Sequence, residues 1–119
     1  MHYVLLYTTR DLHHWRYNHT LAEGPPFVAY EPKPGEKYDA VRAGDMWECP
    51  DFFPLGKKNV LIVSTQGTTV YLLGTYADRK FHPELQGQVD CGAYYAPKSM
   101  LDANGQRILW GWTQERRSD

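Results

Sequence analysis

The sequence predicts an all-β chain, and three observations carry that prediction. Short β-prone runs alternate with turn signals along most of the 119 residues. Aromatic residues (Trp 4, Tyr 9, Phe 4) accompany an ample supply of turn formers, Gly 10 and Pro 8. A weak internal repeat completes the set. Pro50 and Pro97 stand 47 positions apart, each in an aromatic-rich strand followed by a turn and a hydrophobic strand. The second strands, residues 60–65 and 108–113, correspond at an offset of 48. A period of about 40–50 residues with four short strands per unit is the pattern of a β-propeller blade. Similar hairpins in a β-sandwich can mimic it. No segment carries a convincing helical period.

The elements follow in order. Residues 3–7 (Tyr-Val-Leu-Leu-Tyr) read as a first strand, and Asp11-Leu12-His13-His14-Trp15 as a turn with Trp15 anchored beneath it. From Glu23 to Gly44 the chain is rich in Pro, Gly and charge, which predicts a long loop. Loops of this length inside a compact domain are usually functional or mobile. Strands resume at 46–53, then at 60–64 and 70–76. The last two, 94–101 and 107–113, are joined by the turn Asp102-Ala103-Asn104-Gly105.

Composition narrows the functional classes. Lys+Arg 13 against Asp+Glu 14 leaves a formal charge of −1, so there is no electrostatic footprint for nucleic acid or an anionic membrane. No run of about 18 apolar residues is present, which excludes a transmembrane helix. Cys49 and Cys91 are too few for a disulfide scaffold and match no zinc-ligand spacing. His13 and His14 are adjacent and diverge, while His2, His19 and His82 are isolated, so no metal site is expected. The first residues run straight into a strand pattern without a basic start or cleavage site, and localisation stays open.

The most informative segment is Asp45-Met46-Trp47-Glu48-Cys49-Pro50-Asp51-Phe52-Phe53-Pro54, which sets three carboxylates among large apolar groups. Regular alternation would place Met46, Glu48 and Pro50 on one face and Trp47, Cys49 and Asp51 on the other. A glutamate among Trp, Cys, Met and Phe loses solvation, which favours the protonated form that a general acid needs. A solvated edge-strand carboxylate, or one in a structural hydrogen bond, is the competing reading. Trp47 likewise reads as a stacking platform or as a blade anchor. The even spacing of Trp110 and Trp112 favours packing between blades.

Residues 46–54 resemble the Glu-Cys-Pro motif of glycoside hydrolase family 32, the β-fructofuranosidases. Further matches follow in the family's order. Val70 to Tyr76 is similar to the strand after that motif, and Asp90-Cys91-Gly92-Ala93-Tyr94-Tyr95-Ala96-Pro97 resembles its Asp-x-Gly-x-x-Tyr-Ala segment. Arg107 to Trp112 resembles its Arg-x-Leu-Trp-Gly-Trp strand, and residues 11–15 its Asp-Leu-x-x-Trp turn. The resemblance implies a five-bladed β-propeller with a funnel-shaped site on its axis. It also implies retaining hydrolysis of terminal β-fructofuranosyl bonds in sucrose or fructans, with no metal or organic cofactor. Glu48 takes the acid/base role. Asp90, Trp47, Tyr94 and Tyr95 are candidate sugar-contacting residues.

Two parts of the family pattern have no match: the Asn-Asp-Pro segment that supplies the nucleophile, and the Arg-Asp-Pro segment that holds the fructosyl hydroxyls. Arg10-Asp11 is followed by Leu12 and belongs to the upstream turn. Residues 1–119 are therefore expected to be a middle section of the catalytic propeller, inactive alone. At about 40–45 residues per blade the length corresponds to about two and a half blades. Such an arc should self-associate through its open edges. A non-catalytic carbohydrate-binding propeller fragment is the alternative from another class. A related five-bladed hydrolase acting on arabinose- or xylose-type sugars fits the Trp-Glu-Cys-Pro-Asp cluster poorly.

Overall fold

The computed structural model describes residues 2–25, 27, 31 and 33–114. Among them are eight strands: β1 (His2–Thr8), β2 (Arg16–Gly24), β3 (Glu48–Leu55), β4 (Lys58–Thr65), β5 (Thr68–Ala77), β6 (Lys80–Gln88), β7 (Tyr94–Leu101) and β8 (Arg107–Thr113). All pairings are antiparallel between sequence neighbours. They form a two-stranded sheet β1-β2, a four-stranded sheet β3-β4-β5-β6 and a two-stranded sheet β7-β8. One complete blade is thus flanked by parts of two others.

The middle blade is built to be covered on both faces. β4 runs Val60-Leu61-Ile62-Val63-Ser64-Thr65 without an exposed residue. A strand apolar on both sides satisfies period two twice, and needs a neighbouring sheet on each face. Leu61 and Val63 point to one side, where Val70, Leu72 and Phe81 join Val4, Leu21 and Ala22 of the first sheet. Each such fully buried side chain contributes about 1.5–3 kcal/mol. Val60 and Ile62 point to the other side with Phe53, flanked by Tyr71, Leu73 and Val89. There the β7-β8 sheet approaches, with the Arg107 guanidinium 4.0 Å from the centre of the Phe53 ring.

Two strands, β2 and β6, have no counterpart in the sequence reading. β2 buries only Leu21 and Ala22 fully and is otherwise polar, so its period is faint. β6 contains Pro83 and Gly87 and buries only Phe81, as an outer strand can. Pro83 pairs with Gly74 beside a register shift that leaves Glu84 of β6 as the extra residue. The backbones approach so closely there that a Cβ on Gly74 would lie 2.0 Å from the His82 carbonyl oxygen.

The loop expected over 23–44 begins one residue after β2 ends, at Pro25. Residues 26, 28–30 and 32 lie outside the described set, and no strand occurs among described residues between 25 and 47. Its described part turns on Asp39, whose Oδ1 accepts the N–H groups of Val41 at 2.9 Å and Arg42 at 3.1 Å. Trp110 and Trp112 do not pack between blades within this chain. They stand on edge strand β8, 51% and 60% exposed, because no described strand continues the sheet beyond it.

Candidate active site

The site is assembled where β3 meets β7, the first strands of two successive blades. Both strands carry the same irregularity. In β3, Glu48 pairs with Ser64 and Asp51 with Ile62, so Cys49 and Pro50 together oppose Val63. In β7, Tyr95 pairs with Trp112 and Lys98 with Trp110, so Ala96 and Pro97 together oppose Gly111. The first residue of each bulge has a left-handed backbone, φ 49° at Cys49 and 50° at Ala96. Such conformations cost about 1–3 kcal/mol in non-glycine residues and concentrate at functional sites. A proline follows in both strands, where a bulge removes the need for a ladder N–H.

The bulge corrects the alternation expected from sequence. β3 starts at Glu48, leaving Met46 and Trp47 ahead of it. Ser64 and Ile62 lie two apart on β4, so their partners Glu48 and Asp51 share a side. Pro50 no longer shares the face of Glu48. An extra residue in one strand shifts every later side chain by one place.

Glu48 and Tyr95 occupy the same place in the two strands, and they meet. The Tyr95 hydroxyl donates to Glu48 Oε2 at 2.6 Å, within the range of a charge-assisted O–H···O bond. Burial and then the Glu48 carboxyl push the Tyr95 phenol well above its ordinary pKa, so it remains a donor. Glu48 Oε1 takes no hydrogen bond from any described residue and is not among the buried unpartnered atoms, which leaves it reachable.

Hydroxyls behind the pair bolt the blades together. Ser64, fully buried, accepts the Ala96 N–H at 2.9 Å and sits 3.4 Å from Thr69 Oγ1. Thr69 Oγ1 in turn donates to the Tyr94 carbonyl at 2.9 Å. The Lys98 ammonium donates to the Pro50 carbonyl at the bulge. Ser64, Thr69 and Lys98 were not singled out from sequence, and the offset of 47 was the available signal. Applied to Glu48 it lands on Tyr95, and applied to Asp51 it lands on Lys98.

The remaining candidates are more dispersed. Tyr94 points opposite to Tyr95 and lies over Gly111, where a Cβ would come 2.2 Å from its ring. Burial, with Asp90 second, pushes its phenol up. Asp90 is exposed in the turn before β7, where its Oδ2 accepts the N–H groups of Gly92 at 2.6 Å and Tyr94 at 3.4 Å. Trp47 stacks on Phe27 with ring centroids 5.3 Å apart and lies 5.7 Å from His2. Asp51 has Oδ2 buried without a partner among the described residues. Cys49 and Cys91 are both free thiols. No cluster of three or more metal-ligating side chains occurs among the described residues.

A four-stranded blade flanked by parts of two others, with a carboxyl held at an inner-strand bulge, is the arrangement that comparison with known proteins places in a family. The family described as "Glycosyl hydrolases family 32 N-terminal domain" matches residues 1–119, and the chain belongs to that family of glycoside hydrolases. An insoluble-isoenzyme β-fructofuranosidase of Oryza sativa subsp. japonica is 34% identical, over 97% of this chain and 21% of its own length. A sucrose-6-phosphate hydrolase of Salmonella typhimurium is 35% identical, over 92% of this chain and 24% of its own length. The crystal structure of fructan 1-exohydrolase IIa from Cichorium intybus superimposes with a TM-score of 0.68 at 26% identity, covering 93% of this chain and 23% of that one. The chain therefore forms part of a five-bladed β-propeller. It spans between a fifth and a quarter of the length of these relatives.

Proposed function

We propose that the protein carrying this chain cleaves terminal β-fructofuranosyl bonds of sucrose or fructans by a retaining double displacement, with Glu48 as general acid/base. The observation that supports this most directly is the Glu48–Tyr95 pair, at 2.6 Å across a blade boundary. Its carboxyl lies in the Glu-Cys-Pro motif and keeps one oxygen free for a proton transfer. In the first step Glu48 protonates the leaving oxygen; in the second it accepts a proton from the attacking water. A retaining reaction also needs a nucleophilic carboxylate about 5–5.5 Å from the acid. The 119 residues contain no Asn-Asp-Pro segment, and we place that partner outside them. Asp90, Tyr94 and Trp47 are the candidates for contact with the sugar, while the Tyr95 hydroxyl is engaged by Glu48. The chemistry calls for no metal or organic cofactor.

Two measurements test the reading. In the longer protein, Glu48→Gln should lower fructose release from sucrose by about 10²–10⁴-fold; an unchanged rate removes Glu48 from the mechanism. The 119-residue chain alone should release no fructose from sucrose or levan above a Glu48→Ala control. Release well above that control would show that these residues hold both carboxylates.

A further inference from the structure

We propose that Tyr95 is the positioning residue of the acid/base: its hydroxyl occupies Glu48 Oε2, which makes Oε1 the oxygen that carries and delivers the proton. The inference rests on the acid/base reading of Glu48 and adds which atom acts and what aims it. A free glutamate on a strand rotates about its last torsion, which is broad and roughly two-fold, so its oxygens exchange roles. A donor at 2.6 Å on Oε2 removes that freedom. In the protonated acid, Oε2 is the carbonyl-like oxygen that accepts from Tyr95, and the proton sits on Oε1. Transfer breaks the Oε1–H bond and forms the O–H bond of the leaving alcohol. The carboxylate left behind keeps the same Tyr95 bond and takes the proton back from water.

Tyr95 can aim Glu48 because it is itself fixed. The next residue, Ala96, gives its N–H to Ser64, the cross-strand partner of Glu48, at 2.9 Å. Lys98 ties the same strand to the Pro50 carbonyl. Acid and aiming group are therefore held to one another from both sides of the bulge. The other charged or titratable groups around the pair are Cys49 and Asp51 on β3, Asp39 on the preceding loop and Lys98 on β7. β4 presents the hydroxyls of Ser64 and Thr65.

The test compares two substrates in the longer protein, sucrose and a β-fructosyl fluoride, whose leaving group departs without needing a proton. Tyr95→Phe keeps the ring and removes only the donor. With sucrose, kcat should fall about a hundredfold at nearly constant KM, the scale expected for a misaimed catalytic group. In kcat/KM, which reports only the first displacement and not the return of the proton from water, the fluoride should lose far less. Equal losses of kcat/KM on both substrates, or a rise in KM alone, would make Tyr95 a sugar-binding residue and overturn the proposal. Wild-type kinetics on both would overturn it as well. If Glu48→Gln remains active the underlying reading fails instead, a distinct outcome.

Discussion

At the scale of single residues, short polar side chains do most of the orienting. Asp11 shows it in the turn between β1 and β2. Its Oδ1 accepts the His14 N–H at 2.8 Å and the His13 N–H at 3.0 Å, and its Oδ2 meets His14 Nδ1 at 2.6 Å. The His14 backbone bond first, and then its ring, hold the Asp11 carboxyl at about 2 against an ordinary 3.8. A folded value below the unfolded one means that the turn is fully supported above about 3.8 and loses support as pH falls through about 2. In a ¹³C NMR titration the Asp11 carboxyl should show its own protonation step near pH 2 rather than near 3.8, and Asp11→Asn should remove that step. This turn was legible because Asp-Leu-x-x-Trp is local, and its hydrogen bonds span three residues or fewer. Ser64 is the opposite case. Nothing in Val-Leu-Ile-Val-Ser-Thr says that one hydroxyl will accept from residue 96, since that pairing exists only after two blades dock.

At the scale of elements, legibility followed burial and length of pattern. β7 and β8 are expected at 94–101 and 107–113 and occur at those bounds, because a turn with Asn104-Gly105 separates a strand opened by two tyrosines from one rich in aromatic and β-branched residues. β4 and β5 extend the expected runs by one or two residues at each end. β2 and β6 were missed, since outer strands that bury one or two side chains leave little period to read. The bulge in β3 was also invisible locally, and it reversed which neighbours share a face with Glu48. One hidden constraint at this scale has a measurable consequence. Gly74 lies against the His82 carbonyl, where a Cβ would sit 2.0 Å away on backbone that cannot give without breaking the β5-β6 ladder. Gly74→Ala should therefore cost about 1–3 kcal/mol or more, read as a lower unfolding midpoint. By contrast, Gly56 has open space around it and φ +60°, so an alanine there is strained only by its backbone.

At the scale of the whole molecule, the chain is an arc whose middle blade is covered on one face and partly open on the other. On the open face lies a groove of about 370 Å³ lined by Phe53, Leu55, Val60, Ile62, Tyr71 and Leu73. Beside it β8 presents Leu109, Trp110 and Trp112 to solvent. An apolar groove next to an unpaired edge strand invites association. Sedimentation of the 119-residue chain should show oligomers that grow with concentration, and Trp110→Lys with Trp112→Lys should reduce them. A single monomeric species across a hundredfold concentration range would contradict this. The blade repeat was what sequence alone conveyed about this scale, whereas the closure of sheet on sheet was not written in any one segment. That closure has a bearing on biogenesis. Glu48 is synthesised with the middle blade, but its hydroxyl partner arrives only with the strand that opens the next one, 47 residues later. During translation the Glu48 carboxyl therefore exists for a time without its Tyr95 bond, which can form only once the next blade seats.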